Sequence, residues 1–138
     1  MAKPPYDVKA WQTQDAVDEM VATEYGNYAD KTVRAGHFRM ALKEADLGIK
    51  FARAAPDLLS IRPDLIWIRV NRAHALMFLD RKEEAIAEHT LGRGTMLPGH
   101  GPWETVVLKD FVEYSEDGRK HGLMPVIENL LQPAAPAP

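Results

Sequence analysis

Apolar residues recur along this chain at spacings of three and four, the period of one face of an α-helix, in stretches divided by short polar, glycine or proline breaks. Residues 1–12 read as an irregular lead-in, because Pro4 and Pro5 oppose helix. Thr13 is placed to cap a first helix whose opening turn carries Asp15, favourable at the positive end of the dipole. Val17, Met20, Val21, Tyr25, Tyr28, Ala29, Thr32 and Val33 then share one face, and Gly36 ends it. A second face follows through Phe38, Ala41, Leu42, Ala45, Gly48, Ile49 and Ala52 and stops near Pro56. With little but Gly36 between them, the two helices are expected to fold back as a hairpin over about 14–55.

Residues 56–63 read as a linker. Pro63 and Asp64 suit the first turn of a third helix, about 64–79. Leu65, Ile66, Trp67, Ile68, Val70, Leu76, Met77, Phe78 and Leu79 make it apolar nearly all round, so either a buried, central position or one apolar side covered by something else is expected. Asp80-Arg81 turns the chain into a fourth helix, about 82–91, which opens with Glu83 and Glu84 and ends at Gly92-Arg93-Gly94. Gly94–Pro102 holds three glycines and two prolines and is expected as loop. Pro102 starts a fifth helix through Trp103, Val107, Phe111 and Tyr114, closed at Gly118. A short sixth, opened by Pro125, carries Ile127, Leu130 and Leu131. The closing stretch, 133–138, has nothing to bury and is expected to be disordered. No strand alternation competes, and the expected fold class is all-α, in a single domain over 1–132.

The pattern repeats. Ala29, Gly36, Ala41 and Gly48 are matched 44 residues later by Ala73, Asp80, Ala85 and Gly92, with Asn27 and Leu42 matched by Asn71 and Ile86. Small residues at this spacing let two antiparallel helices approach closely around a short turn. Self-similarity over a few tens of residues marks stacked helical hairpins.

The stretch NRAHALMFLDRKEEAIAEH, Asn71–His89, resembles a tetratricopeptide repeat through Ala73, Asp80, Ala85 and Gly92. Tyr25–Gly48 resembles a second copy through Ala29, Gly36, Ala41 and Gly48, with Phe38 at the aromatic place after the turn. The resemblance covers 22–92, about half the chain. It departs from the family in its spacing, 44 against the usual roughly 34, and in Lys82, which stands where an aromatic is usual. The segment Trp103–Leu131 does not match a third repeat. It reads as capping helices, about 103–131, and resembles the ending of some small bacterial proteins of this kind. The resemblance implies a helical-hairpin solenoid, with hairpins about 14–55 and 64–92, whose first helices line a concave groove. That places Trp67, Val70, Asn71, His74, Met77 and Phe78 on or near the inner surface, with Thr23, Asn27, Asp30, Val33 and Arg34 from the first hairpin. Asn71 lies where the family often keeps an asparagine that hydrogen-bonds a bound peptide's backbone, and Asn27 repeats it. Gly26 and Asp30 stand where a carboxylate-clamp groove needs lysine and asparagine, which argues against that specialised form.

Composition narrows the function. The formal charge of −3 lacks the basic surplus of a nucleic-acid binder. Acids dominate up to residue 30, whereas Lys31–Arg72 holds nine basic residues against four acids. That strip is either a face for an acidic partner or ordinary solvated helix surface. Without cysteine there are no disulfides, zinc-thiolate sites or thiol chemistry. The opening MAKPPYDVKAW lacks the apolar run of a signal peptide and no stretch approaches membrane-spanning length, so a cytoplasmic protein without a membrane partner is expected.

Candidate chemistry is sparse. His74 and His89 lie on paired helices within reach of each other, but no HExxH or carboxylate pair completes a ligand set, so packing histidines are expected, with no metal and no cofactor. GRGTMLPGHG lacks the lysine-serine/threonine ending of a phosphate loop. Glu83 and Glu84 are adjacent on a helix, point apart and suit its N-terminus. No nucleophile with a positioned base is legible, so a non-enzymatic role is expected. The expected function is protein–protein interaction, a peptide or partner helix held in an apolar groove around Asn27, Arg34, Trp67, Val70, Asn71, His74, Met77 and Phe78. The alternative is a homo-oligomer subunit using the same apolar surface. Either the groove is open to a partner or the C-terminal helices fold into it.

Overall fold

The computed structural model describes residues 8–52 and 65–132, with side chains in the first helix from residue 16 onward. The start of the lead-in, the 56–63 linker, the Pro63-Asp64 opening and the 133–138 tail lie outside the described residues. Six helices account for most of the rest: α1 (Val8–Arg34), α2 (Phe38–Ala52), α3 (Ile68–Phe78), α4 (Lys82–Leu91), α5 (Trp103–Glu116) and α6 (Met124–Leu131). The fold class is all-α. α1 packs along α2, α2 on α3 and α3 on α4, while α6 reaches both α4 and α5.

The two hairpin turns are built alike at the 44-residue offset. Gly36 (φ 86°) and Asp80 (φ 61°) both take the left-handed conformation that ends a helix. In the first turn the N–H of Gly36 bonds the Val33 carbonyl and that of His37 bonds Thr32. In the second, Asp80 bonds Met77 and Arg81 bonds Leu76. The next helix then opens with Ala41 N–H on the His37 carbonyl and Ala85 N–H on Arg81. α1 and α2 run antiparallel in a fixed register, with Thr32 hydroxyl donating to the Glu44 carboxylate at 3.1 Å and Tyr25 stacked on Phe51 at 6.2 Å. The small residues of the repeat do what their size allows. Ala29, Ala41, Ala73 and Ala85 are fully buried, as are Gly48 and Gly92. A Cβ on Gly48 would press to 3.2 Å on Ile68, and one on Gly92 would strike the Trp103 indole.

Several boundaries differ from the expected ones. α1 reaches back to Val8, so Thr13 is inside the helix rather than its cap, and the lead-in is shorter than 1–12. α3 begins at Ile68, not near 64, because Leu65–Trp67 form a tighter turn. The N–H groups of Arg69 and Val70 bond the carbonyls of Ile66 and Trp67, three residues back rather than four. Gly94–Pro102 is not wholly loop: Met96–Leu97 (β1) pairs antiparallel with Gly101–Pro102 (β2). The connection Leu97-Pro98-Gly99-His100 carries proline then a positive-φ glycine, the residue order of a type II turn, with His100 N–H closing on the Leu97 carbonyl at 2.9 Å. Buried Leu97 pins this small hairpin to the core.

The central helix is α3, buried from Ala73 to Met77. On one side α4 and α2 are joined to it by ions: Arg69 and Arg72 each reach Glu88, at 2.9 and 3.0 Å, and Arg72 also reaches Asp46 at 2.7 Å. These two arginines belong to the basic strip, and their charges are spent inside the molecule. On its other side α3 meets α5.

Candidate functional site

Of the two alternatives, an open groove or one filled by the C-terminal helices, α5 takes the second along much of α3. The inward face of α5, Trp103, Val107, Phe111 and Tyr114, is buried against α3 and α4. Phe111 sits 5.5 Å from both the His74 and His89 rings, and Tyr114 meets His74 and Phe78 edge-on at 5.3 Å. The Trp103 indole N–H donates to the His89 carbonyl at 2.7 Å. Two of the expected groove residues are therefore not available to a partner, and a third is partly covered. His74 and Met77 are fully buried, and Phe78 is half-buried, stacked at 4.5 Å on Phe38. The physical reason is that α3 is apolar nearly all round, and the chain covers its second apolar side with its own C-terminal helix.

A buried polar chain runs through this contact. His89 Nδ1 lies 2.7 Å from the Ala85 carbonyl, which only accepts, so that nitrogen carries the proton and Nε2 accepts. His74 Nδ1, 3.0 Å from His89 Nε2, is then the donor, and His74 Nε2 faces Asp110 Oδ2 at 3.0 Å. That contact joins the histidine pair of α3 and α4 to the Asp110 carboxylate of α5. Burial, and then the neighbouring His74, push the His89 pKa down to about 3, against the pull of the Ala85 carbonyl.

Asp110 passes the chain to Arg34. The guanidinium gives Nε to Asp30 at 3.1 Å, Nη1 to Glu113 at 2.8 Å and Nη2 to Asp110 at 3.3 Å, and its Cζ lies 5.4 Å over the Tyr114 ring. Partial burial opposes the charge, but Asp30, Glu113 and Asp110 outweigh it and raise the pKa above the ordinary arginine value. Burial and the Asp110 carboxylate hold the Tyr114 phenol well above its usual range. Its hydroxyl is the one buried side-chain polar atom among the described residues with no hydrogen-bond partner.

Above this layer α5 leaves a cavity of about 220 Å³, lined by Asn27, Asp30 and Arg34 of α1, Trp67, Val70 and Asn71 at the start of α3, His100 of the β-turn, and Val106 and Asp110 of α5. Five expected site residues, Asn27, Arg34, Trp67, Val70 and Asn71, converge on it. Asn71 does not point its amide nitrogen at a ligand: Nδ2 donates to the Gly26 carbonyl at 3.2 Å and ties α3 to α1. Gly26 is needed there for a second reason, since a Cβ would lie 2.6 Å from the Trp67 indole. Trp67 is half-buried and forms one wall, with the His100 ring 5.9 Å away.

His100, Val106 and Asp110 were not anticipated. For Asp110 a signal exists: positions 103, 107, 110 and 114 step by four and three, so a carboxylate sits on the otherwise apolar face of its helix. His100 has none, because its place depends on the β-turn. Among the described residues no cluster of three or more histidine, aspartate or glutamate side chains is arranged to hold a metal ion, and no helix is long and apolar enough to cross a membrane. Set against protein-family models, curated proteins and solved structures, the chain matches none of them.

Proposed function

We propose that this chain is a tetratricopeptide-like interaction module that holds a short segment of a protein partner in the cavity between α1, α3 and α5. The observation that carries the reading is convergence. Residues placed on one inner surface by the resemblance, from helices 44 residues apart in the repeat, line one cavity beside a half-buried tryptophan. The repeated turn geometry at Gly36 and Asp80 supports the hairpin architecture it requires. With α5 seated on His74, Met77 and Phe78, the space that is left suits one or two residues of an extended chain rather than a partner helix. No catalytic step is assigned to it.

The test is affinity capture of partner from the source cell with the wild type, with Val106→Arg, which fills the cavity, and with Val126→Arg, which alters exposed α6 surface instead. Capture should be lost only in the first variant, with helicity unchanged by circular dichroism. Equal capture by all three would remove the cavity from the function.

A second reading, a homo-oligomer subunit, rests on a different face. Met20 and Tyr28 are 60% and 51% exposed on α1, and with Val21 and Tyr25 they border a shallow apolar depression. Light scattering over a dilution series, wild type against Met20→Glu with Tyr28→Glu, separates the readings. A wild type that stays monomeric at high micromolar concentration disposes of the second.

A further inference from the structure

The cavity has a charge balance that selects among partner residues. Among the described residues, Arg34 is the only arginine or lysine lining it. Its three nitrogens are directed at three carboxylates and its face lies over Tyr114, so a carboxylate on a partner would have to break an existing pair. Counting the groups in contact gives the sign. Three carboxylates, Asp30, Asp110 and Glu113, face one guanidinium, and the acids stay in surplus even with His74 counted as a cation. The surplus is reachable at Asp30. Its side chain is 41% exposed, Oδ1 meets Arg34, and Oδ2 has no hydrogen-bond partner among the described residues.

The rest of the lining is not acidic. Val70 and Val106 are apolar, Asn27 and Asn71 are neutral amides, Trp67 presents a ring fixed by its contact with Gly26, and His100 adds an imidazole beside that ring. An aliphatic stem fits against the valines and the indole, and a cation at its end gains both the carboxylate and the aromatic face. We propose that the cavity takes the side chain of a basic residue, lysine or arginine, from a partner peptide. This rests on the peptide-binding reading above and adds the chemistry of the residue that is read.

The experiment is an NMR titration of the full chain at pH 8 and low salt, following the Trp67 indole N–H and the Asn71 side-chain amide. The probes are capped tripeptides Ac-Gly-Xaa-Gly-NH2 with Xaa lysine, arginine, norleucine or glutamate, and n-butylammonium as a free amine. Lysine and arginine peptides should give saturable shifts, norleucine should bind about five- to tenfold more weakly, and glutamate should leave both signals in place. Asp30→Asn should weaken the lysine peptide by about the same factor. Asn27→Asp, which adds a carboxylate at the rim without touching an existing pair, should tighten it about threefold. Norleucine binding as well as lysine, or Asp30→Asn and Asn27→Asp both without effect, would overturn the basic-residue inference and leave the peptide cavity standing. If no tripeptide moves the Trp67 signal, the cavity reading falls with it. Butylammonium binding as tightly as the lysine peptide would overturn the claim that a peptide is the ligand.

Discussion

Acid should unfold this protein through His89. In the folded chain that imidazole is buried between α4, α3 and α5, donates to the Ala85 carbonyl, and accepts from His74, and its pKa is lowered to about 3. Unfolded, it returns to the ordinary value of about 6.5. Between those limits the unfolded chain binds a proton that the folded chain refuses, so stability is complete above pH 6.5 and falls as the pH drops toward 3. At about 1.4 kcal/mol per pH unit the whole window is worth up to about 5 kcal/mol, and about 3 kcal/mol is gone by pH 4. That is a large part of the stability of a small domain. The assay is urea denaturation followed by circular dichroism at pH 7, 5.5 and 4, for the wild type and His89→Gln. The difference between the two chains isolates what the imidazole at position 89 contributes. The variant should be less stable at pH 7, and the gap should close by about 3 kcal/mol at pH 4. A gap that stays constant or widens would refute the neutral, buried assignment of His89.

Other outcomes follow from the packing. Tyr114→Phe removes a buried hydroxyl that has no partner while keeping the ring against His74 and Phe78, so it should stabilise the protein by about 1 kcal/mol in the same urea assay. Glu88→Ala removes a carboxylate whose side chain is 9% exposed, taking the ion pair from Arg69 and leaving Arg72 with Asp46. It should cost about 3 kcal/mol, while Glu84→Ala, in an exposed pair with Arg81, should cost well under 1 kcal/mol. Gly92→Ala drives a methyl group into the buried Trp103 ring, and a thermal melt should show a loss of about 1–3 kcal/mol together with a changed tryptophan emission.

Much of the helical scaffold was legible because it is written locally. The three- and four-residue spacing of apolar positions identified the helices, and Gly36 and Gly118 marked their ends. The alanines and the glycines 48 and 92 repeated at an offset of 44 sit at buried helix contacts, with Gly36 and Asp80 at the turns between. The start of α3 was misplaced because the tight Leu65–Trp67 turn looks like helix to any reading based on hydrophobic period. The β-turn was missed because Pro98-Gly99 reads equally well as loop until Leu97 is buried beneath it.

What the sequence determined by itself is the set of helices, their turns and the surplus of apolar surface on 64–79, since each depends on residues a few positions apart. What only the tertiary structure decided is which segment covers that surface. Phe111 and Tyr114 join His74 and Phe78 across more than thirty residues, and the same docking brings Asp110 to Arg34 from 76 residues away. Chain connectivity leaves such pairings open, and burial of α5 on α3 selects one of them, covering the second apolar side of α3 and leaving a small cavity beside it.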